Sequence, residues 1–332
     1  MLRILHDTNI DFIRWWKWAV GLTAGFIAIG VLSFFVNPGI NRSIEFTGGT
    51  MMQVEFKKPV DVGALRSALD DAEIRGAEIQ QFGSNREYTI RAREAEQSGA
   101  ATTGAESVAK RIEGVLNQKY GAGEVHVART EAVGPRVGDE LTRDAIIAML
   151  LSFLVTTVYL GIRFEWRFAL AALIATGHDV FTTLAFLKIM HLEVSLTVVA
   201  AILTVIGYSL NDTIIIFDRV REDLRKGRKE SLYQTLNRAI NETLPRSILT
   251  HATTLAATLA LLIFAGEVIR PFAWVMAFGI FTGTFSSIYI AGPTLLWIER
   301  KWPRKIGVSK GSGSSTATRT SQTRRSTATA ST

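Results

Sequence analysis

No cysteine occurs among the 332 residues, so disulfides, thiol nucleophiles and thiolate-bound metals are excluded and any exported part folds without cross-links. Histidine is scarce as well. Of the five in the chain, His6, His126 and His191 stand alone. No spacing typical of a metal site or of a nucleophile–base–acid triad is present, so enzyme chemistry is not expected, and neither a catalytic residue nor a metal ligand is assigned. The 37 Lys and Arg exceed the 30 Asp and Glu, but their placement accounts for that excess and no nucleic-acid partner is needed.

Charge is thin in six apolar blocks, approximately Trp15–Val36, Leu141–Ile162, Phe168–Leu187, Val194–Phe217, Ile248–Ala265 and Phe272–Ile298. Each is near or above the roughly 20 residues that a helix needs to cross the hydrocarbon core, which predicts a six-span integral membrane protein. The first block follows a short segment, 1–14, and is too long for the apolar region of a signal peptide, so it reads as an uncleaved anchor. Arg3, Arg14, Lys17, Arg163, Arg167, the run from Arg219 to Lys229, and Arg300, Lys301, Arg304 and Lys305 fall on one side of the spans. The opposite short loops hold little beyond Lys188 and Arg270. Basic residues collect on the cytoplasmic side, so both termini and a loop of about 218–247 are expected there, and 37–140 outside.

Between the first two spans the pattern changes. Met51–Phe56, Ile79–Phe82, Glu87–Ala92 and Glu124–Ala128 read as strands, while Val62–Ile74 and Ser107–Tyr120 carry apolar residues at helical spacing. The order strand, helix, strand, strand, helix, strand is that of a split, ferredoxin-like α+β domain. Residues 299–332 form a basic tail, and from Ser309 onward it holds too little bulky apolar side chain to fold.

The segment Gly207-Tyr208-Ser209-Leu210-Asn211-Asp212-Thr213 places a carboxylate inside the fourth block, about one and a half helical turns before the charged boundary Asp218-Arg219. An ionised group at membrane depth costs roughly 3 kcal/mol on insertion scales, which marks Asp212 as a functional candidate. The bland alternative is a packing lock, with Gly207 and Ser209 letting helices approach. Asn or Ser would provide such a lock at lower cost, so a proton or ion role is favoured. Arg246, in Leu244-Pro245-Arg246, is the candidate cation, against the usual snorkelling of arginine at span ends. His178-Asp179 in span three suits a relay or a hydrogen-bonded knot, and adjacent helical residues are expected to point apart. Thr250, Thr254 and Thr258 recur every four residues as a stripe that lines water or bonds its own preceding carbonyls. Phe46-Thr47-Gly48-Gly49 precedes the first strand, and its glycines fit a turn needing positive φ.

Phe46-Thr47-Gly48-Gly49, His178-Asp179-Val180, Gly207 to Glu222, Leu244-Pro245-Arg246 and Phe281 to Ser287 together resemble the SecD/SecF family of RND-type membrane proteins, over roughly Phe12 to Trp302. Glu45 stands where that family commonly has Asp, and His251 where a smaller residue is expected. The resemblance implies an α-helical membrane protein with six transmembrane helices, half of an RND-type fold, and a periplasmic ferredoxin-like domain in the bacterial cytoplasmic (inner) membrane. It implies help with late steps of protein export, with the proton gradient as energy source and no bound cofactor. The implied partners are SecD, the SecYEG translocon, YajC, YidC and the exported unfolded polypeptide. Asp212 would carry the proton and Arg246 would be its charge partner, with His178, Asp179 and Asn211 as accompanying polar groups and Asp218 and Arg219 as part of the motif. The alternatives are a proton-driven exporter of small molecules or lipids, and a translocon scaffold without coupling.

Overall fold

The structure is a computed structural model and describes residues 8–72, 74, 76–82, 84–92, 103–226, 230–266 and 268–303. The tail from 304 on, and with it Arg304, Lys305, Arg3, His6, Arg228 and Lys229, lies outside these residues. The chain enters through a 3-10 turn, Ile13–Trp15, into α1 (Trp16–Val36), an apolar helix with only Ala19 and Gly30 buried. A short helix α2 (Ile44–Thr47) leads into the exposed domain: β1 (Gly49–Phe56), α3 (Val62–Asp71), β2 (Glu78–Phe82), β3 (Ser84–Ala92), α4 (Thr103–Tyr120) and β4 (Val125–Val133). Asp61 starts α3 by accepting the Ala64 N–H at 2.9 Å, satisfying one of its free amide donors.

The four strands run antiparallel in the order β2-β3-β1-β4. The expected split arrangement is therefore present. Alternation along β1 and β3 sends Met52, Val54, Phe56, Tyr88 and Ile90 to one face, where they pack with Leu65, Leu69, Ile112 and Leu116 of α3 and α4.

The remaining spans are α5 (Pro135–Arg163), α6 (Trp166–Ile189), α7 (Leu196–Arg225), α8 (Leu232–Phe264), and α9 (Arg270–Ser286), which passes through a π turn at Ser287–Ala291 into α10 (Gly292–Lys301). Among the described residues, six helical stretches are long and apolar enough to cross a membrane. The α6, α7 and α9 spans form the inner layer, while α1, α5 and α8 turn apolar residues such as Phe35, Leu154 and Phe264 outward.

The stretch 218–247, expected as a loop, is helical over 218–225 and 232–247. Ser231 and Gln234 cap α8 reciprocally, and Arg238 of α8 pairs with Asp223 of α7 at 2.9 Å, so both helices continue past the apolar run. Pro245 sits inside α8 although it lacks an N–H for the preceding turn.

The exposed domain is stitched to the bundle. Ser43 N–H donates to the Val194 carbonyl at 2.9 Å, and Val194 N–H to that of Asn41 at 2.7 Å. Lys188 Nζ donates to the carbonyls of Asn37 and Gly39, both at 2.5 Å, and Arg91 of β3 pairs with Glu193 in the α6–α7 loop. Phe46 is buried against Ala145 of α5 and Val199 of α7.

Candidate functional site

Two glycines set the distance between α7 and α9. A Cβ at Gly279 would lie 2.2 Å from Val205 Cγ2, and one at Gly283 would lie 2.9 Å from Ser209 Cβ. Only glycine admits this approach. It brings the polar faces of α6, α7 and α9 into one buried array.

Asp179 of α6 is 1% exposed. Its Oδ2 accepts hydrogen bonds from the Ser209 hydroxyl of α7 and from the Ser286 hydroxyl of α9, the latter at 2.7 Å. Thr213 and Ser287 join their hydroxyls at 2.8 Å nearby. His178 and Asp179 do not point apart as expected: His178 Nδ1 lies 3.2 Å from Asp179 Oδ1. Rotation of the imidazole along the helix surface brings it back to the neighbouring carboxylate. His178 also lines a groove of about 900 Å³ with Ile13, Trp16, Ile174 and Tyr289.

One turn further along α7, Asp212 is 3% exposed and faces α8. His251 Nε2 stands 3.2 Å from its Oδ2. Ser247 and Arg246, from the same helix, also lie close enough to act on this carboxylate. Arg246 is exposed, and no ion pair joins it to Asp212 among the described residues. The direct partner is thus an imidazole that faces inward, whereas Arg246, five residues earlier, projects to the outside of α8. Tyr208 donates to Thr254 Oγ1 at 3.1 Å and to the Thr250 carbonyl at 3.3 Å, with its ring 5.4 Å from that of His251.

The other candidates lie elsewhere. Gly207 and Asn211, four apart, share the exposed stripe of α7 opposite Ser209 and Asp212. Asp218 pairs with Arg163 at 2.8 Å and Arg221 at 2.6 Å, and Arg219 with Glu222 at 2.7 Å and with Glu242, so both belong to an ion-pair belt at the end of the bundle. Thr250, Thr254 and Thr258 each donate to the carbonyl four residues back. Phe46 and Thr47 end α2, Gly48 turns the chain and Gly49 begins β1, with φ of +70° and +124° at the two glycines. A Cβ at Gly48 would meet Pro135 Cα at 2.7 Å. This turn therefore presses on the start of α5.

Ser209, Ser286 and His251 were missed as site residues in the sequence. The available signals were the paired serines at 286 and 287 in an apolar span, and a histidine inside the threonine stripe.

Buried carboxylates bridged to hydroxyls and imidazoles inside six apolar helices, below a small α+β domain, define a multi-pass membrane protein with an ionisable interior. Residues 113–301 match the family described as Protein export membrane protein SecD/SecF, C-terminal, and residues 33–60 match the SecD/SecF GG Motif. The chain is 63% identical over 305 residues to the protein translocase subunit SecF of Gemmatimonas aurantiaca, covering 92% of this chain and 91% of that one. To the SecF of Vibrio alginolyticus it is 40% identical, covering 93% and 94%. The crystal structure of SecDF, a translocon-associated membrane protein from Thermus thermophilus, resembles it with a TM-score of 0.78 at 31% identity, covering 90% of this chain and 40% of that longer one. The chain belongs to the SecD/SecF family, as a SecDF-type protein translocation subunit.

Proposed function

We propose that this subunit couples the proton gradient to late steps of polypeptide export across the bacterial inner membrane, as half of a complex with a SecD-type partner. On this reading it works beside the SecYEG translocon, with YajC and YidC as further neighbours, and needs neither a cofactor nor enzymatic chemistry. The basic end, where Arg163, Arg167, Arg219 and Arg238 lie, faces the cytoplasm with both termini. The observation that carries the reading is Asp212, a carboxylate buried at membrane depth against an imidazole rather than replaced by a cheaper neutral group.

Protonation of Asp212 removes its charge and weakens its hold on His251, so the packing of α7 against α8 changes. The route outward is continuous. The first N–H of α7, at Leu196, donates to Glu45 at 2.6 Å, next to the Phe46–Gly49 turn, and the α6–α7 loop is bonded to the exposed domain through Glu193 and Arg91. A shift of α7 is thereby passed to the domain that meets the exported chain.

Asp212→Asn keeps the size and hydrogen bonding of the side chain and removes its titration. The variant is expected to insert, to retain the SecD-type partner, and to lose the uncoupler-sensitive part of export. Full gradient-stimulated export by Asp212→Asn would leave a scaffold role, the reading that the self-satisfied threonines of α8 favour.

A further inference from the structure

We propose that Asp212 and His251 form a single ion-binding unit and that the imidazole makes it a proton site closed to alkali cations. The proposal rests on the coupling reading above and specifies its ion. Hard cations are held by several oxygen ligands. Here the approach to Asp212 Oδ2 is taken by a ring nitrogen at 3.2 Å, with the Ser247 hydroxyl as a neighbouring oxygen. An imidazole that carries a second proton also repels any cation.

A proton meets no such obstacle. With the ring proton on Nε2, 3.2 Å from Oδ2, the lone pair at Nδ1 is left over, and Nδ1 is buried without a hydrogen-bond partner among the described residues. A proton taken at Nδ1 converts the pair from net charge −1 to zero. Passing the Nε2 proton to Oδ2 then leaves a neutral acid beside a neutral imidazole, with no heavy atom moved beyond their contact. The ionisable groups around His251 are few: Asp212 and Tyr208 from α7, and Arg246 on its own helix. The α9 helix brings one charge, Arg270, at its first residue, and α10 brings Glu299, Arg300 and Lys301 at its last turn. The exchange is thus confined to the pair, with Arg246 setting the background charge.

Inner-membrane vesicles containing the full chain and its SecD-type partner allow proton and sodium gradients to be imposed separately while completion of export is measured. The wild type should respond to the proton gradient and ignore the sodium gradient. His251→Gln keeps an N–H donor without titrating, and His251→Ser removes the ring. Either should lower the proton response by about tenfold, which corresponds to about 1.4 kcal/mol of coupling. Proton release by the purified complex after an alkaline jump gives a second reading, in which His251→Gln should release fewer protons per chain than the wild type. Export by the wild type driven by sodium, or an unchanged proton response in both variants with an unchanged proton count, overturns the proposal. A wild type that responds to neither gradient defeats the coupling reading itself, while the proton count still decides whether the pair exchanges protons.

Discussion

Gly279→Ala tests the close approach of α7 and α9 on which the buried array depends. The added Cβ would lie 2.2 Å from Cγ2 and 2.7 Å from Cγ1 of Val205. Carbon atoms rest about 3.5–4.0 Å apart, so more than an ångström of overlap must be relieved. Valine in a helix keeps one strongly preferred rotamer, so the side chain cannot swing away and the helices must separate. Overpacking of this kind costs about 1–3 kcal/mol. The separation also stretches the bonds from Ser209 and Ser286 to Asp179, each worth about 1.5–3 kcal/mol when the acceptor is an ionised carboxylate. Thermal unfolding in mild detergent should fall by about 5–10 °C, taking about 2–4 °C per kcal/mol for a unit of this size. Val205→Ala removes both offending methyls, so the double variant should recover most of the loss. The coupling between the two sites should then reach about 1–3 kcal/mol in a double-mutant cycle. A Gly279→Ala protein as stable as the wild type, or no rescue by Val205→Ala, would refute the packing described.

Arg238→Met leaves the buried Asp223 without the guanidinium that donates twice to its Oδ2, at 2.9 and 3.3 Å, and should destabilise the charged ends of α7 and α8 by about 3 kcal/mol. Protease sensitivity of the α7–α8 connection measures it, and a wild-type pattern would show that Asp223 finds other compensation. Burial pushes the Glu193 carboxyl above its ordinary range, with the ion pair to Arg91 opposing this only in part. The folded state then holds the Glu193 proton more tightly than the unfolded state, so its contribution to stability is lost as pH rises from the ordinary glutamate value through the raised one. Glu193→Gln should flatten that slope in unfolding measured against pH, and an unchanged slope would assign it to other groups. Because the chain has no cysteine, single cysteines at Ser84 and Ser231 should react with an impermeant thiol reagent from opposite faces of the membrane. Labelling of both from outside would reverse the orientation.

Six spans, the split α+β domain and the burial of the Asp212 carboxylate were legible in the sequence, because each follows from local pattern. Long apolar runs report the bilayer, alternation reports a half-buried sheet, and a carboxylate in an apolar run stands out by its desolvation cost. Helix ends were less legible. The segment 218–247 is charged, and charge alone does not separate a solvated loop from helices held by the Ser231 cap and the Asp223–Arg238 pair. The partner of Asp212 was not legible at all. Arg246 and His251 sit on the same helix, and which of them turns toward α7 depends on the rotation of α8, set by packing around Thr258, Ser247 and Leu244. Likewise Ser209, Ser286 and Asp179 lie far apart in the chain and meet only because Gly279 and Gly283 let α9 approach α7. Composition and periodicity act within one helix, so they determined which groups are buried in this protein. Which buried groups touch was decided by the rotation and spacing of helices against one another, which only the tertiary structure specifies.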